Sequence, residues 1–241
     1  MTSKNYDVLN FLIQKFNFRS YLEIGVRGYQ TFDKVSCEKK VAVDPAPNGF
    51  RSGKGIEVHQ KFSNDFFSEL KDSDTFDLIF IDGDHSYDAV KSDLENAIKF
   101  LNKDGLIVLH DVDPPEEKWQ GVPRLSGGPG SRNLASPLGE CWRALVTRRI
   151  LNKDILVFTV KCAEEEFGIE KKTIGSGCET GLAICKITHN SFDKSLQQFE
   201  NLKIDWDLLK NNRDVLLNRH SMEEFYNKVE FFFKEEVNSG L

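Results

Sequence analysis

The sequence predicts an α/β fold: a mostly parallel sheet with helices on both faces and a helical extension at the C-terminal end. Three observations predict it. Short apolar strands alternate with amphipathic helical stretches from residue 4 to residue 111. The segments 76–82 and 105–109 are nearly continuous in apolar residues, as strands covered on both faces are. Polar residues, Glu23, Asp44, Asp82 and Asp111, also sit at the ends of the strong strands. Right-handed crossovers gather such ends along one edge of a parallel sheet, which is where α/β folds bind ligands.

Each element follows from its own pattern. Residues 4–17 carry Val8, Leu9, Phe11, Leu12 and Phe16 at helical spacing. Tyr21–Gly25 is a short strand, and Val41–Asp44 a second, stopped by Pro45 and Pro47. Phe76–Asp82 is a third. Residues 86–102 are helical, with Tyr87, Val90, Leu94, Ala97, Ile98 and Leu101 on one stripe. Gly105–Leu109 is a buried strand ending in His110-Asp111. Residues 114–137 then break the rhythm with five prolines and four glycines, and 112–137 reads as a lid loop. Gly139–Arg149 returns to helix, Ile155–Val160 and Gly181–Ile187 are the last strands, and 163–178 reads as an irregular hairpin. In the tail, 205–236, Ser221 and Glu224 match a capping box ahead of Phe225, Val229, Phe232 and Phe233. These helices predict a hairpin packed on the sheet or on a second copy of the chain. The expected division is one domain over 1–190 and an extension over 191–241.

Composition bounds the function. In 241 residues there are 32 Lys plus Arg against 38 Asp plus Glu, a net charge of −6, which argues against a dedicated nucleic-acid binder. No apolar run reaches the roughly 18–20 residues of a membrane span, and the N-terminal stretch shows no secretory pattern. The five cysteines include no CxxC pair, so neither a zinc ribbon nor a disulfide framework is expected, and a reducing cytoplasm is the default.

The candidate chemistry lies at the strand ends. Glu23-Ile24-Gly25-Val26-Arg27-Gly28 follows a strand and precedes an expected helix start. Glycines there let backbone approach a ligand, and a helix N-terminus offers free N–H groups. It lacks the full GxGxxG of a dinucleotide site, which disfavours an NAD-dependent dehydrogenase. Asp44, 19 residues beyond Gly25, is placed to accept hydrogen bonds from ribose hydroxyls. In Asp82-Gly83-Asp84-His85 the histidine is a general base or a metal ligand, and Asp84 a ligand or the cap of the next helix. Asp82 and Asp111, on adjacent strands, come within reach of one divalent ion. His110 reads either as a core histidine or as a member of the same group.

Taken together, Tyr21–Val26, Val43–Pro45, Phe76–Tyr87, Gly105–Asp111 and Pro114-Pro115 resemble the class I methyltransferases that use S-adenosylmethionine. The nearest branch in pattern is the sugar and natural-product O-methyltransferases of the macrocin type, over roughly residues 18–187. The resemblance implies a Rossmann-like seven-stranded sheet with an antiparallel last strand. It implies that Glu23, Gly25 and Gly28 line the methionine end of the cofactor, that Asp44 binds its ribose, that Ser63, Asn64 or Asp65 sits by the adenine, and that Asp82 belongs to the same cofactor site. It implies magnesium on Asp82 and Asp111, His85 as base, and a small-molecule or glycan hydroxyl as acceptor. The chain departs from the family in two places. Its first motif is one residue shorter than ExGxxxG, and His110 stands where some metal-binding relatives carry an acid.

Two other classes fit parts of the pattern. Asp82-Gly83-Asp84 also reads as the DxD of a metal-dependent glycosyltransferase, which leaves Glu23–Gly28 and Asp44 without a role. A non-catalytic binding protein of the same fold is the other.

Overall fold

The computed structural model describes residues 4–120, 138–161, 180–188 and 193–235. In chain order the elements are α1 (Asn5–Phe16), β1 (Ser20–Ile24), β2 (Lys39–Val43), β3 (Ile56–His59), α2 (Ser63–Glu69), β4 (Phe76–Ile81), α3 (Tyr87–Lys99) and β5 (Leu101–His110). Then follow α4 (Cys141–Leu151), β6 (Ile155–Val160), β7 (Leu182–Ile187), α5 (Trp206–Leu217), β8 (Arg219–His220) and α6 (Met222–Glu235).

The strands form one sheet in the order β3-β2-β1-β4-β5-β7-β6-β8. All pairs are parallel except those of β7, which runs antiparallel to β5 and β6. This is the Rossmann-like arrangement that the sequence predicts. The expected seven strands become eight through the two-residue β8, so the antiparallel strand is not the last in the chain. The chain reverses its direction of travel across the sheet between β1 and β4, and the crevice at their C-terminal ends is the ligand position of such sheets.

Period-two side-chain alternation divides the core into two layers. Leu22, Ile24, Val41, Val43, Ile79, Ile81, Ile107 and Leu109 face α2, α3, α4 and α5. Tyr21, Ala42, Leu78, Phe80, Leu106 and Val108 face α1 and α6. The C-terminal helices therefore do not pair as the expected hairpin: α5 joins one layer and α6 the other, with β8 between them at the sheet edge. Asn218, at φ 50°, ends α5. The capping box then starts α6: the Ser221 amide donates to Glu224 at 2.9 Å and the Glu224 amide to Ser221 Oγ at 3.1 Å. Buried Arg149 of α4 donates to the carbonyls of Val215 and Leu216, closing the end of α5.

Three further expectations change. The glycine turn after β1 leads into hydrogen-bonded turns over 29–34, not an α-helix, so no helix N-terminus faces the crevice there. Ile56–His59 is an edge strand that its short Ile-Glu-Val-His pattern did not announce. The expected lid cannot begin at 112, because Val112, Asp113 and Pro114 are buried and the Asp113 amide donates to the Thr180 carbonyl at 2.9 Å. The remainder of that loop over 121–137, and the expected hairpin at 163–178, lie outside the described residues. No helix among the described residues is long and apolar enough to cross a membrane.

Candidate active site

The crevice has two halves. The first is built on β1 and β2. Gly25 sits at φ +89°, and a Cβ there would stand 2.1 Å from the Asp82 carbonyl oxygen. Glycine is thus required for the end of β1 to pass the end of β4, and this contact locks the turn to Asp82. Gly28 has no such constraint; only the Gln30 side chain lies near it, at 3.4 Å from an added Cβ. Asp44 accepts from the amides of Arg27 and Ala46, each at 2.7 Å, stitching the β1 loop to the β2 loop. Glu23 is buried and accepts from the Tyr21 hydroxyl at 2.6 Å. Burial pushes its carboxyl up to about 8 even though that hydrogen bond pulls the other way, which favours its neutral form.

Further along the same half, Asn64 Oδ1 accepts from Ser92 Oγ at 2.7 Å and from Asn96 Nδ2 at 3.1 Å, which ties α2 to α3. Ser63 hydrogen-bonds the carboxyl of Asp93. Burial raises Asp93 to about 6, Ser63 offsets part of that, and the charge of Asp84 adds to it.

The second half is built on β4 and β5. Asp82, His85 and Asp111 offer ligand atoms that all lie within 4.8 Å of one another. His85 Nε2 is 3.3 Å from Asp82 Oδ1, and its Nδ1 is 3.4 Å from Asp111 Oδ2, so the imidazole bridges the two carboxylates. Burial works against a charged His85, but the Asp82 hydrogen bond and the Asp111 charge outweigh it and raise the imidazole to about 9. Burial likewise works against the Asp82 anion, and His110 and then His85 hold its pKa well below the usual carboxylate range. The loop is fixed from outside: the His85 carbonyl accepts from the Glu140 amide at 2.8 Å, and Gly139, at φ +64°, packs against His85. Asp84 turns away and accepts from the Ser86 amide at 2.8 Å, the helix-start role rather than a second DxD ligand.

The structure brings together Gly25, Asp82, His85 and Asp111, decides between the two readings of His110, and adds Asn5 and Thr180, which sequence reasoning missed. His110 Nδ1 is 3.0 Å from Asp82 Oδ1, so His110 belongs to the cluster. Its Nε2 faces Asn5 Nδ2 at 3.2 Å and Thr180 Oγ1 at 3.3 Å. The Thr180 hydroxyl also donates to Asp111 Oδ1. Asn5 and Thr180 lie 105 and 70 residues from His110, and no local pattern marks either. Asp111 has φ +58°, a left-handed conformation uncommon for a residue with a side chain; such strain gathers at functional positions.

Two carboxylates and an imidazole converging on one point suit a cation. As oxygen donors, Asp82 and Asp111 match a hard divalent ion such as magnesium, with water filling the remaining positions. The same carboxylates and His85 can also receive a proton from a bound hydroxyl.

A family model described as a methyltransferase domain matches residues 23–112, the span from Glu23 through Asp111. Solved structures share the fold, two among them. One is the O-methyltransferase from Bacillus cereus in complex with S-adenosylhomocysteine, at 17% identity and a TM-score of 0.50, covering 76% of this chain and 80% of that one. The other is the N-methyltransferase NodS from Bradyrhizobium japonicum, at 13% identity and a TM-score of 0.50, covering 76% of this chain and 93% of that one. One acts on oxygen and one on nitrogen, so the likeness carries the fold and not the acceptor atom. No protein of curated function matches the sequence.

Proposed function

We propose that this chain is an S-adenosylmethionine-dependent O-methyltransferase of the cytoplasm, acting on a hydroxyl of a sugar or other small molecule as the macrocin-type enzymes do. The observation that carries the reading is the convergence of Asp82, His85 and Asp111 within 4.8 Å, beside the Gly25 turn that the methyltransferase-domain match includes. The domain spans 1–190, with 191–241 as an extension packed on it.

S-adenosylmethionine supplies a methyl group on an electrophilic sulfonium. Glu23, Gly25 and Gly28 line its methionine end. Asp44 keeps lone pairs for the ribose hydroxyls, since each of its oxygens holds one amide. Ser63 and the amide NH2 of Asn64 stand at the adenine end. Asp82 and Asp111 would hold magnesium, which would supply Lewis acidity toward the acceptor oxygen. His85 receives the acceptor's proton on a ring nitrogen. Its two carboxylate neighbours hold a proton there at neutral pH, so it serves as base once that proton has left or a cation has displaced it. In-line positioning does much of the remaining work.

Calorimetric titration with S-adenosylmethionine, S-adenosylhomocysteine, NAD and a UDP-sugar tests the class. Binding of the first two alone is expected. Binding of a UDP-sugar without them would move the chain to the glycosyltransferase reading, and binding of none would leave a non-catalytic module.

A further inference from the structure

We propose that Asn5, the first residue of α1, is a positioning residue for the Asp82, His85 and Asp111 cluster: its buried amide holds the His110 ring so that Nδ1 stays on Asp82. The inference rests on the proposed function for the cation at that cluster, and on geometry for the rest.

Packing and capping leave the choice of asparagine unexplained. The face of α1 that enters the core carries Asn5, Val8, Leu9, Leu12 and Ile13, an apolar stripe at helical spacing except for its first member. Asn5 is 1% exposed, yet its Oδ1 has no hydrogen-bond partner among the described residues. A buried, unpaired amide oxygen costs stability, so an apolar side chain would serve the core better. The start of α1 does not need Asn5 either. The Lys4 amide donates to Asp7 Oδ2 at 2.9 Å, and the Asp7 amide donates to the Lys4 carbonyl at 2.9 Å.

The Asn5 side chain does reach His110, with Nδ2 3.2 Å from Nε2 of the ring. An amide NH2 donates and does not accept, so Nε2 takes this bond with its lone pair and the ring proton lies on Nδ1. Nδ1 stands 3.0 Å from Asp82 Oδ1, and a carboxylate accepts that proton's hydrogen bond. Thr180 Oγ1 is 3.3 Å from the same Nε2, but its single proton goes to Asp111, so it has none to give the ring. Phe80 packs beside the ring, with centroids 6.0 Å apart. An apolar neighbour cannot choose between the two flips of an imidazole, whereas a hydrogen bond to one nitrogen can. His85 also meets Asp82 at Oδ1, so the ring that Asn5 fixes helps set the turn of this carboxylate.

The test joins two measurements on the full chain. One is Mn2+ binding followed by electron paramagnetic resonance, with Mn2+ standing in for magnesium as a hard, oxygen-binding ion. The other is NMR of the ring nitrogens in histidine-labelled protein without metal, at about pH 8.5, where an ordinary imidazole is neutral. His110 is assigned as the signal lost in His110→Gln. In the parent its proton should lie on Nδ1. Asn5→Leu removes the donor, and Asn5→Asp keeps the side-chain shape with acceptors alone. Either should move the Nε2 resonance, so the result does not depend on both variants folding. Mn2+ affinity should fall about tenfold in Asn5→Leu, the lower end of the range for a group that orients a metal ligand. His110→Gln should lose at least as much, since its amide replaces Nε2 and puts nothing at Nδ1. The double variant should bind Mn2+ no more weakly than His110→Gln alone, because Asn5 acts through that ring. A proton on Nε2 in the parent, His110 signals unmoved by either Asn5 variant, undiminished Mn2+ affinity in Asn5→Leu, or losses that multiply in the double variant would each overturn the proposal. A parent that binds no Mn2+, with His110 signals that still move, would remove the magnesium reading and leave the hold of Asn5 on His110 standing.

Discussion

The two halves of the crevice carry similar carboxylates in opposite electrical settings. At β1 and β2, Asp44 is satisfied by two backbone amides and Glu23 by a tyrosine hydroxyl, all neutral donors from the chain itself. At β4 and β5, Asp82 and Asp111 face histidines and one another, and their imidazole neighbour is held in the charged form. The first half is complete without a ligand. The second is balanced only while a proton or another cation stands between the carboxylates. Under the proposed function, the difference fits recognition in the first half and chemistry in the second.

The largest effects should come from the second half. Asp82→Asn and Asp111→Asn keep the side-chain shape, and asparagine tolerates the left-handed conformation at 111. Each should lower turnover by at least about 10³, since losing Lewis-acid stabilisation costs several kcal/mol. Cofactor affinity should stay within a few-fold. Exhaustive EDTA treatment should have the same effect on the parent enzyme; full activity afterwards would remove magnesium and leave His85 acting alone. His85→Ala should cost about 10² to 10⁴ in kcat. A change confined to KM would make His85 a positioning group instead.

How much of this was legible beforehand follows the same division. Asp44, Asp82, His85 and Asp111 were readable because each sits at a strand end or just past one, where chain order alone predicts the place. The mostly parallel sheet was legible for the same reason, since continuous apolar runs alternating with helices call for right-handed crossovers, while the order of its strands came only with the fold. His110 stayed ambiguous because nothing local separates a core histidine from one that faces a carboxylate. Asn5, Thr180 and Asp113 were invisible because their partners come from elements far away in sequence. Gly28 was read as a close-approach glycine, yet nothing crowds it, while Gly25 is crowded by protein rather than by ligand. The helix expected after Gly28 failed because tertiary contacts, among them the Tyr29 hydroxyl donating to the Gly49 carbonyl at 2.8 Å, hold that segment in turns.

Asp93 sharpens the contrast as a buried acid with only a neutral partner. Burial raises it to about 6, against 3.8 for the free side chain. As pH rises from about 4 to about 6 the unfolded chain loses this proton first. The native state then binds more protons, so stability falls across that window and the loss is complete above it. About two pKa units correspond to at most about 3 kcal/mol. Asp93→Asn should therefore match the parent in urea unfolding near pH 4 and exceed it by up to that amount at pH 7.5. An equal difference at both values would show that packing, not the buried charge, sets the effect.

The smallest effect separates the two tasks of Asp44. Its carboxylate ties the loops together through the amides of Arg27 and Ala46, and the proposal also gives it the ribose hydroxyls. Removing the side chain leaves those amides without their acceptor, so Asp44→Ala should lose about 1–2 kcal/mol of unfolding free energy with no ligand present. If the carboxylate also binds ribose, S-adenosylhomocysteine affinity should fall by roughly 1–3 kcal/mol, the scale of a lost charge-assisted hydrogen bond. Asp44→Asn keeps one oxygen acceptor but points an NH2 group at the other amide, so it should destabilise the free protein at least as much as alanine does. Its remaining oxygen can still meet one ribose hydroxyl, so its affinity should lie between those of the parent and the alanine variant. If affinity instead followed unfolding free energy across all three proteins, Asp44 would be a strut of the loop pair and the ribose assignment would fall. The ranking by affinity must therefore differ from the ranking by stability for Asp44 to act on the cofactor itself.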